Sequence, residues 1–338
     1  MAQSRTARRP LSKKAQAEKA ARAAEREQAT EALHQQLTEA VLQLATSEGW
    51  TAMLDKLAQR AGTEIGRYSF ANMITIMMQC PQATAVCSFK QWKERGRQVR
   101  KGEKAIRIWA PMTGVRRDER TGEPVTNDQG EEKRWLRFKL VPVFDISQTE
   151  PLWQEGPVFT ITPSVFVPKF GGDVQGEAPA QMWEDLADLV ERQGYRVEVD
   201  DTGRSDGWTH KGSMTVRISD RSPQAHAAVT LAHEVAGHIG CGHMEGSHDE
   251  YRQHRGRMEV EAESVAYMVA ARYGVDAEVT SAPYIAGWAG KDPKEVERLL
   301  TATGETVRKA YRTFLESVEG TGGAQPVPAA QEQALAAA

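Results

Sequence analysis

Seven of the eight histidines lie between His210 and His254, and two of them flank a glutamate in Leu231-Ala232-His233-Glu234-Val235-Ala236-Gly237-His238. Two histidines on one helical face can hold a divalent metal, and a glutamate beside the first can serve as general base. It would take a proton from a water that attacks a carbonyl, which is metal-assisted hydrolysis. Here the spacing is His-Glu-x-x-x-His, one residue longer than an i,i+4 pair. Five residues of regular helix turn through about 500°, leaving the rings about 140° apart. A single π turn would restore convergence, and Gly237 favours one.

A third ligand is expected from the next helical stretch, Glu259-Val260-Glu261-Ala262-Glu263-Ser264-Val265-Ala266-Tyr267. Glu259 and Glu263 share a face at i,i+4, so one could ligate zinc while the other hydrogen-bonds a ligand histidine. An alternative uses His233, Gly240 and His243 in the metzincin order, but that pattern wants a histidine where Gly237 stands. His226, His248 and His254 read as loop or surface residues.

These residues need elements to carry them. The 338 residues suggest two domains, each with its own core. Residues 1–30 hold almost no large apolar side chains and read as a mobile basic arm. Three helical patterns follow: Leu33, Leu37, Val41, Leu42 and Leu44; then Trp50, Met53, Leu54 and Leu57; then Phe70 to Met78, apolar nearly all round. A short helix at 88–95 stops at Gly96. Strands are expected at 99–111 and 135–144, joined through turn signals at 113–133, so that 31–150 forms an α+β module with a hairpin. Prolines and glycines mark 151–178 as a linker. The second domain, 179–318, opens with a helix at 180–193 and two strands at 195–199 and 214–218. Ser222-Pro223 then starts the histidine helix, with Ser222 as N-cap. A loop covers 240–256, a helix runs from Met258 to Tyr273, and 319–338 reads as a disordered tail.

Residues 1–150 carry 26 Lys+Arg and 18 Asp+Glu, a net +8, whereas the rest carry 17 and 28, a net −11. A basic half joined to an acidic half suggests two tasks, one of them on a polyanion. Within 85–110, eight basic residues face two glutamates. Lys90, Arg97, Arg100, Lys101, Lys104 and Arg107 lie among Phe89, Trp92 and Trp109, a mixture suited to single-stranded nucleic acid. Trp92 and Trp109 read first as core residues, with base stacking as the alternative. Nothing reads as a duplex-recognition helix or zinc finger. No window approaches the ~20 apolar residues of a membrane span. The opening MAQSRTARRPLSKK has no apolar stretch behind its charges, and three cysteines are too few for a disulfide framework, so a cytoplasmic location is expected.

The chain resembles the ArdC-type antirestriction proteins of plasmids and phages. The matching pieces are Trp50, Tyr68-Ser69 with Asn72, Phe89-Lys90-Gln91-Trp92, Gly96 to Lys104, the His233-Glu234 and Glu259–Tyr267 helices, and Tyr284-Ile285-Ala286-Gly287-Trp288. The resemblance implies a single-stranded-DNA-binding domain followed by a gluzincin-like metallopeptidase domain. It implies His233, His238 and Glu259 as Zn2+ ligands, Glu234 as general base, Glu263 as partner of a ligand, and Tyr68 and Asn72 as DNA contacts. The family usually has His-Glu-x-x-His. Three functions follow as expectations: protection of incoming single-stranded DNA of a mobile element, cleavage of a regulator or host protein, or a DNA-binding scaffold with a decayed metal site.

Overall fold

The computed structural model describes residues 13–118, 120–152, 178–246, 248–275, 277, 285, 287 and 292–319. Most of the expected linker, the tail beyond 319, and Tyr284, Ala286 and Trp288 of the family-like segment lie outside them.

The N-terminal half opens on α1 (Lys13–Leu42). Residues expected as a mobile arm are helical from Lys13 and mostly exposed, because Ala, Glu, Gln, Lys and Arg favour helix without a packed partner. The helix joins the core near its C-terminal end, at Leu33, Leu37 and Val41 with Ala40 and Leu42 packed alongside. In α2 (Ser47–Arg60), Thr46 caps the first turn by accepting from Gly49 N, and Trp50, Met53, Leu54 and Leu57 face inward. Ser69 caps α3 (Phe70–Gln79), which is buried for most of its length, as its all-round apolar composition requires.

The short β1 (Val86–Cys87) precedes α4 (Phe89–Glu94), which starts in a Ser88–Gln91 capping box. Then come β2 (Arg97–Val99), β3 (Ile106–Val115), β4 (Arg134–Asp145) and β5 (Thr149–Pro151). One antiparallel sheet has the order β1-β4-β3, and β2 pairs with β5. The free edge of β3 is closed by two side-chain amides from one face of α3. Asn72 Nδ2 donates to Trp109 O at 2.9 Å and its Oδ1 accepts from Trp109 N at 2.8 Å. Gln79 does the same for Arg107, at 2.8 and 2.9 Å. A helix thus stands in for a missing strand.

The second half contains α5 (Ala178–Arg192), β6 (Arg196–Asp200), β7 (Gly207–His210), β8 (Thr215–Ser219), α6 (Gln224–Ala232), a π turn (His233–Ile239), α7 (His248–Arg272) and α8 (Pro293–Glu319). Its sheet has the order β6-β8-β7, with β6 parallel and β7 antiparallel to β8. Ser222 does not cap α6: Pro223 is the N-cap, without a side-chain bond, and Ser222 N donates to Ser219 O in the turn before it. α7 starts ten residues earlier than its apolar pattern, with Arg252, Gln253, His254 and Arg255 exposed in its first turns.

One apolar cluster runs through both halves, and a smaller one gathers Ala85, Cys87, Trp92 and Val99. Trp50 Nε1 donates to Ser264 Oγ at 2.8 Å and Tyr267 Oη to Asp55 at 2.9 Å, tying α2 to α7. α8 returns to the N-terminal half, where Arg308 Nη1 reaches Gly66 O at 2.7 Å. The fold is mixed α+β. No helix among the described residues is long and apolar enough to cross a membrane.

Candidate metal centre

The helix carrying the histidines changes winding where the five-residue spacing requires it. From His233 to Ile239 it is a π turn, with Gly240 N bonded to Val235 O at 3.0 Å and His243 N to His238 O at 3.0 Å. The rings of His233 and His238 are brought to 4.7 Å between centroids, nearly perpendicular. Gly237 lets this turn lie against α7, because a Cβ there would stand 2.7 Å from Ala262 O and 2.8 Å from its Cα.

Across that contact, α7 presents Glu259. Its Oε2 is 3.5 Å from His233 Nε2 and 3.8 Å from His238 Nε2. One donor atom from each of the three residues lies within 4.8 Å of the other two, so the group could hold a divalent ion. His238 is buried, while His233 and Glu259 open to a cleft of about 940 Å³ lined also by Trp208, Thr209, Tyr251 and Arg255. Burial, reinforced by the neighbouring imidazoles, pushes His238 well below the usual range, which favours the neutral ligand form. The hydrogen bond with His233 holds the Glu259 carboxyl well below the usual carboxylate range; Tyr251 Oη and Arg255 Nε also reach its Oε1, at 3.2 and 3.5 Å. Burial by itself would lower His233, but Glu259 and Glu234 overcome it and raise that imidazole.

Glu234 is buried beside this group and accepts from Thr209 Oγ1 at 2.6 Å. Burial pushes its carboxyl above the usual range, against the opposing charge of His233 and the Thr209 hydrogen bond. A carboxylate with a raised pKa at the edge of a cleft is suited to proton transfer. Glu263 lines the same cleft, and its charge acts on His233. His226 lines the far side and pairs with Asp206 at 3.3 Å, and His254 is exposed.

Sequence reasoning missed the groups behind the ligands. His243 Nδ1 lies 2.9 Å from His238 Nδ1, its Nε2 lies 2.9 Å from Glu261 Oε2, and Arg257 Nε donates to Glu261 Oε1 at 2.7 Å. A signal existed: Glu261 is two positions from Glu259 and points about 200° away, into the protein, where a carboxylate needs partners. Thr209 was not legible, because β7 has no strong strand pattern.

The structure distributes the expected DNA contacts unevenly. Lys90, Lys101, Lys104 and Arg107 are exposed. Arg97 and Arg100 are partly engaged within the fold, with Thr149 Oγ1 at 2.7 Å and Glu103 at 2.8 Å. Asn72 and Trp92 are corrections: both are fully buried, Asn72 on the edge of β3 and Trp92 with Nε1 donating to Phe144 O at 2.7 Å. Tyr68 donates to Val86 O at 2.7 Å, and burial raises its phenol. Each spends its polar atoms inside the protein.

Comparison with known proteins bears on the N-terminal half first. The family model described as the N-terminal domain of anti-restriction factor ArdC matches residues 23–144. An uncharacterised protein of Bacillus anthracis is 26% identical over 282 residues, covering 74% of this chain and 46% of the relative. The chain therefore spans about half the length of the curated relative it matches. Two crystal structures of the antirestriction protein ArdC from the R388 plasmid are also similar. The metal-free one has 21% identity, a TM-score of 0.45 and coverage of 79% of this chain and 98% of that one. The Mn(II)-bound one has 18% identity, a TM-score of 0.43 and coverage of 80% and 98%. Residues 23–144 thus belong with the N-terminal domains of the anti-restriction factor ArdC, as the resemblance read from the sequence implied for that half.

Proposed function

We propose that the chain is an antirestriction protein that binds incoming single-stranded DNA of a mobile element in the cytoplasm, and that its second half is a gluzincin-like domain with a metal-dependent peptidase site. The observation that carries the second part is the convergence of His233 and His238, set by a π turn, with Glu259 of α7, and Glu234 buried beside them.

The donor set of two imidazoles and one carboxylate suits Zn2+. Bound there, the ion would supply Lewis-acid polarisation of a carbonyl and lower the pKa of water. The remaining work falls to the chain's own residues. Glu234, oriented by the Thr209 hydroxyl, accepts the proton of the attacking water and passes it to the leaving amine. His233 keeps the Glu259 carboxyl low, and Tyr251 and Arg255 hold it in place.

The test is metal content and peptide hydrolysis for the wild type, His238→Ala and Glu234→Gln, with single-strand affinity measured in parallel. About one zinc per chain, lost in His238→Ala and retained in Glu234→Gln, with hydrolysis lost in both, is the expected result. A wild type that binds DNA but takes up no zinc, manganese or cobalt would reduce the protein to a DNA-binding scaffold.

A further inference from the structure

The basic residues of 85–110 are partly used inside the fold, yet aromatic surface is available elsewhere. β3 and β4 pair over ten residues, from Ile106↔Val143 to Val115↔Arg134, and only the base of this ribbon, at Ile106, Ile108 and Val143, enters the core. Further out the ribbon exposes large apolar side chains: Trp135 is 37% exposed, Leu136 51% and Phe138 42%. Such groups on both faces of a solvated ribbon cost free energy unless something covers them.

Charge identifies the occupant. Arg116, Arg117, Lys133, Arg134, Arg137 and Lys139 are all exposed on the outer stem. No Asp or Glu occurs between Ile106 and Arg117 or between Lys133 and Phe144. The acidic residues of this region, such as Asp118, Asp128, Glu131 and Glu132, are confined to the tip and its approach. Trp135 is held flat by its neighbours. Its indole lies across Gly114, where a Cβ would come within 2.5 Å of the ring, and the Arg137 guanidinium sits 5.5 Å from the ring centroid. Phe138 and Leu136 lie on the opposite face, since successive strand residues alternate.

We propose that the outer stem of the β3–β4 ribbon binds single-stranded nucleic acid, with Trp135 on one face and Phe138 on the other receiving bases and the six cations receiving phosphates. This inference rests on the DNA-binding reading above and assigns it a place. An unpaired strand fits because its bases offer free faces to aromatic rings, which a duplex keeps stacked.

The test is fluorescence anisotropy of a labelled single-stranded oligonucleotide and its duplex, titrated with the full chain across a range of salt. The variants are Trp135→Ala/Phe138→Ala, Arg134→Gln/Arg137→Gln/Lys139→Gln, and Lys101→Gln/Lys104→Gln. Circular dichroism and thermal melting confirm that each folds. The aromatic pair is expected to weaken single-strand binding about tenfold or more with the salt slope unchanged. The triple glutamine variant is expected to flatten that slope by about 0.7 for each phosphate no longer neutralised. Wild-type binding that the aromatic variant leaves intact would overturn this placement and leave the DNA reading standing. No binding by the wild type would defeat both. A variant that alters sedimentation but not affinity would mark the ribbon as a self-association face and also overturn the inference.

Discussion

His238 and His243 meet nitrogen to nitrogen, with their Nδ1 atoms 2.9 Å apart and Glu261 2.9 Å from the far side of His243. An ionised carboxylate only accepts, so His243 carries its proton on Nε2 and offers a lone pair at Nδ1. His238 must then be protonated at Nδ1, which leaves its Nε2 lone pair facing Glu259 and His233. Arg257 Nε donates to the other oxygen of Glu261. The relay selects the one tautomer of His238 that can ligate.

Removing the relay therefore weakens metal binding without removing a ligand. His243→Ala is expected to lower affinity about 10–100-fold, the usual effect of losing an outer partner. Competition against a chromophoric chelator measures it, and the visible spectrum of the cobalt-loaded protein should change as well. Wild-type affinity in this variant would show the relay to be structural only.

Gly237 holds the π turn against α7 at a distance no side chain allows. Gly237→Ala is expected to destabilise the fold by about 1–3 kcal/mol, the range for overpacking a close contact, and to separate Glu259 from the histidines. Thermal denaturation reads the first effect and metal stoichiometry the second.

Asn72 satisfies both backbone groups of Trp109 from the far side of the sheet edge. Asn72→Ala leaves them without those bonds and is expected to cost about 1–3 kcal/mol. Urea denaturation measures this loss. Single-strand affinity of the folded variant should equal that of the wild type, whereas a direct contact would show as weaker binding at unchanged stability.

Burial raises the Cys87 thiol to about 11, with Arg95 opposing and Glu64 adding to the shift. Its thiolate fraction at pH 8 is thus far below that of a free cysteine, and the side chain is covered. Alkylation of Cys87 by iodoacetamide at pH 8 is expected to be slow in the folded protein and fast in denaturant, as peptide mass analysis would show. Equal rates in both conditions would contradict the burial.

Much of the site was legible from local spacing. His-Glu-x-x-x-His required a π turn if the rings were to converge, and a π turn runs from His233 to Ile239. Glu259 and Glu263 were placed on the cleft side by their four-residue separation. Helical periodicity likewise located α2, α3 and the apolar part of α7, because a buried stripe repeats every 3.6 residues whatever it packs against. Contacts between distant segments have no such repeat. Tertiary structure alone decided that His243 and Glu261 stand behind His238, that Thr209 reaches Glu234, and that Asn72 and Trp92 belong to the core. The same holds for the ribbon: composition marked the N-terminal half as basic and aromatic. Which aromatics face water depends on where β3 and β4 leave the core, and that is set by packing between segments 37 residues apart, at Asn72 and Trp109.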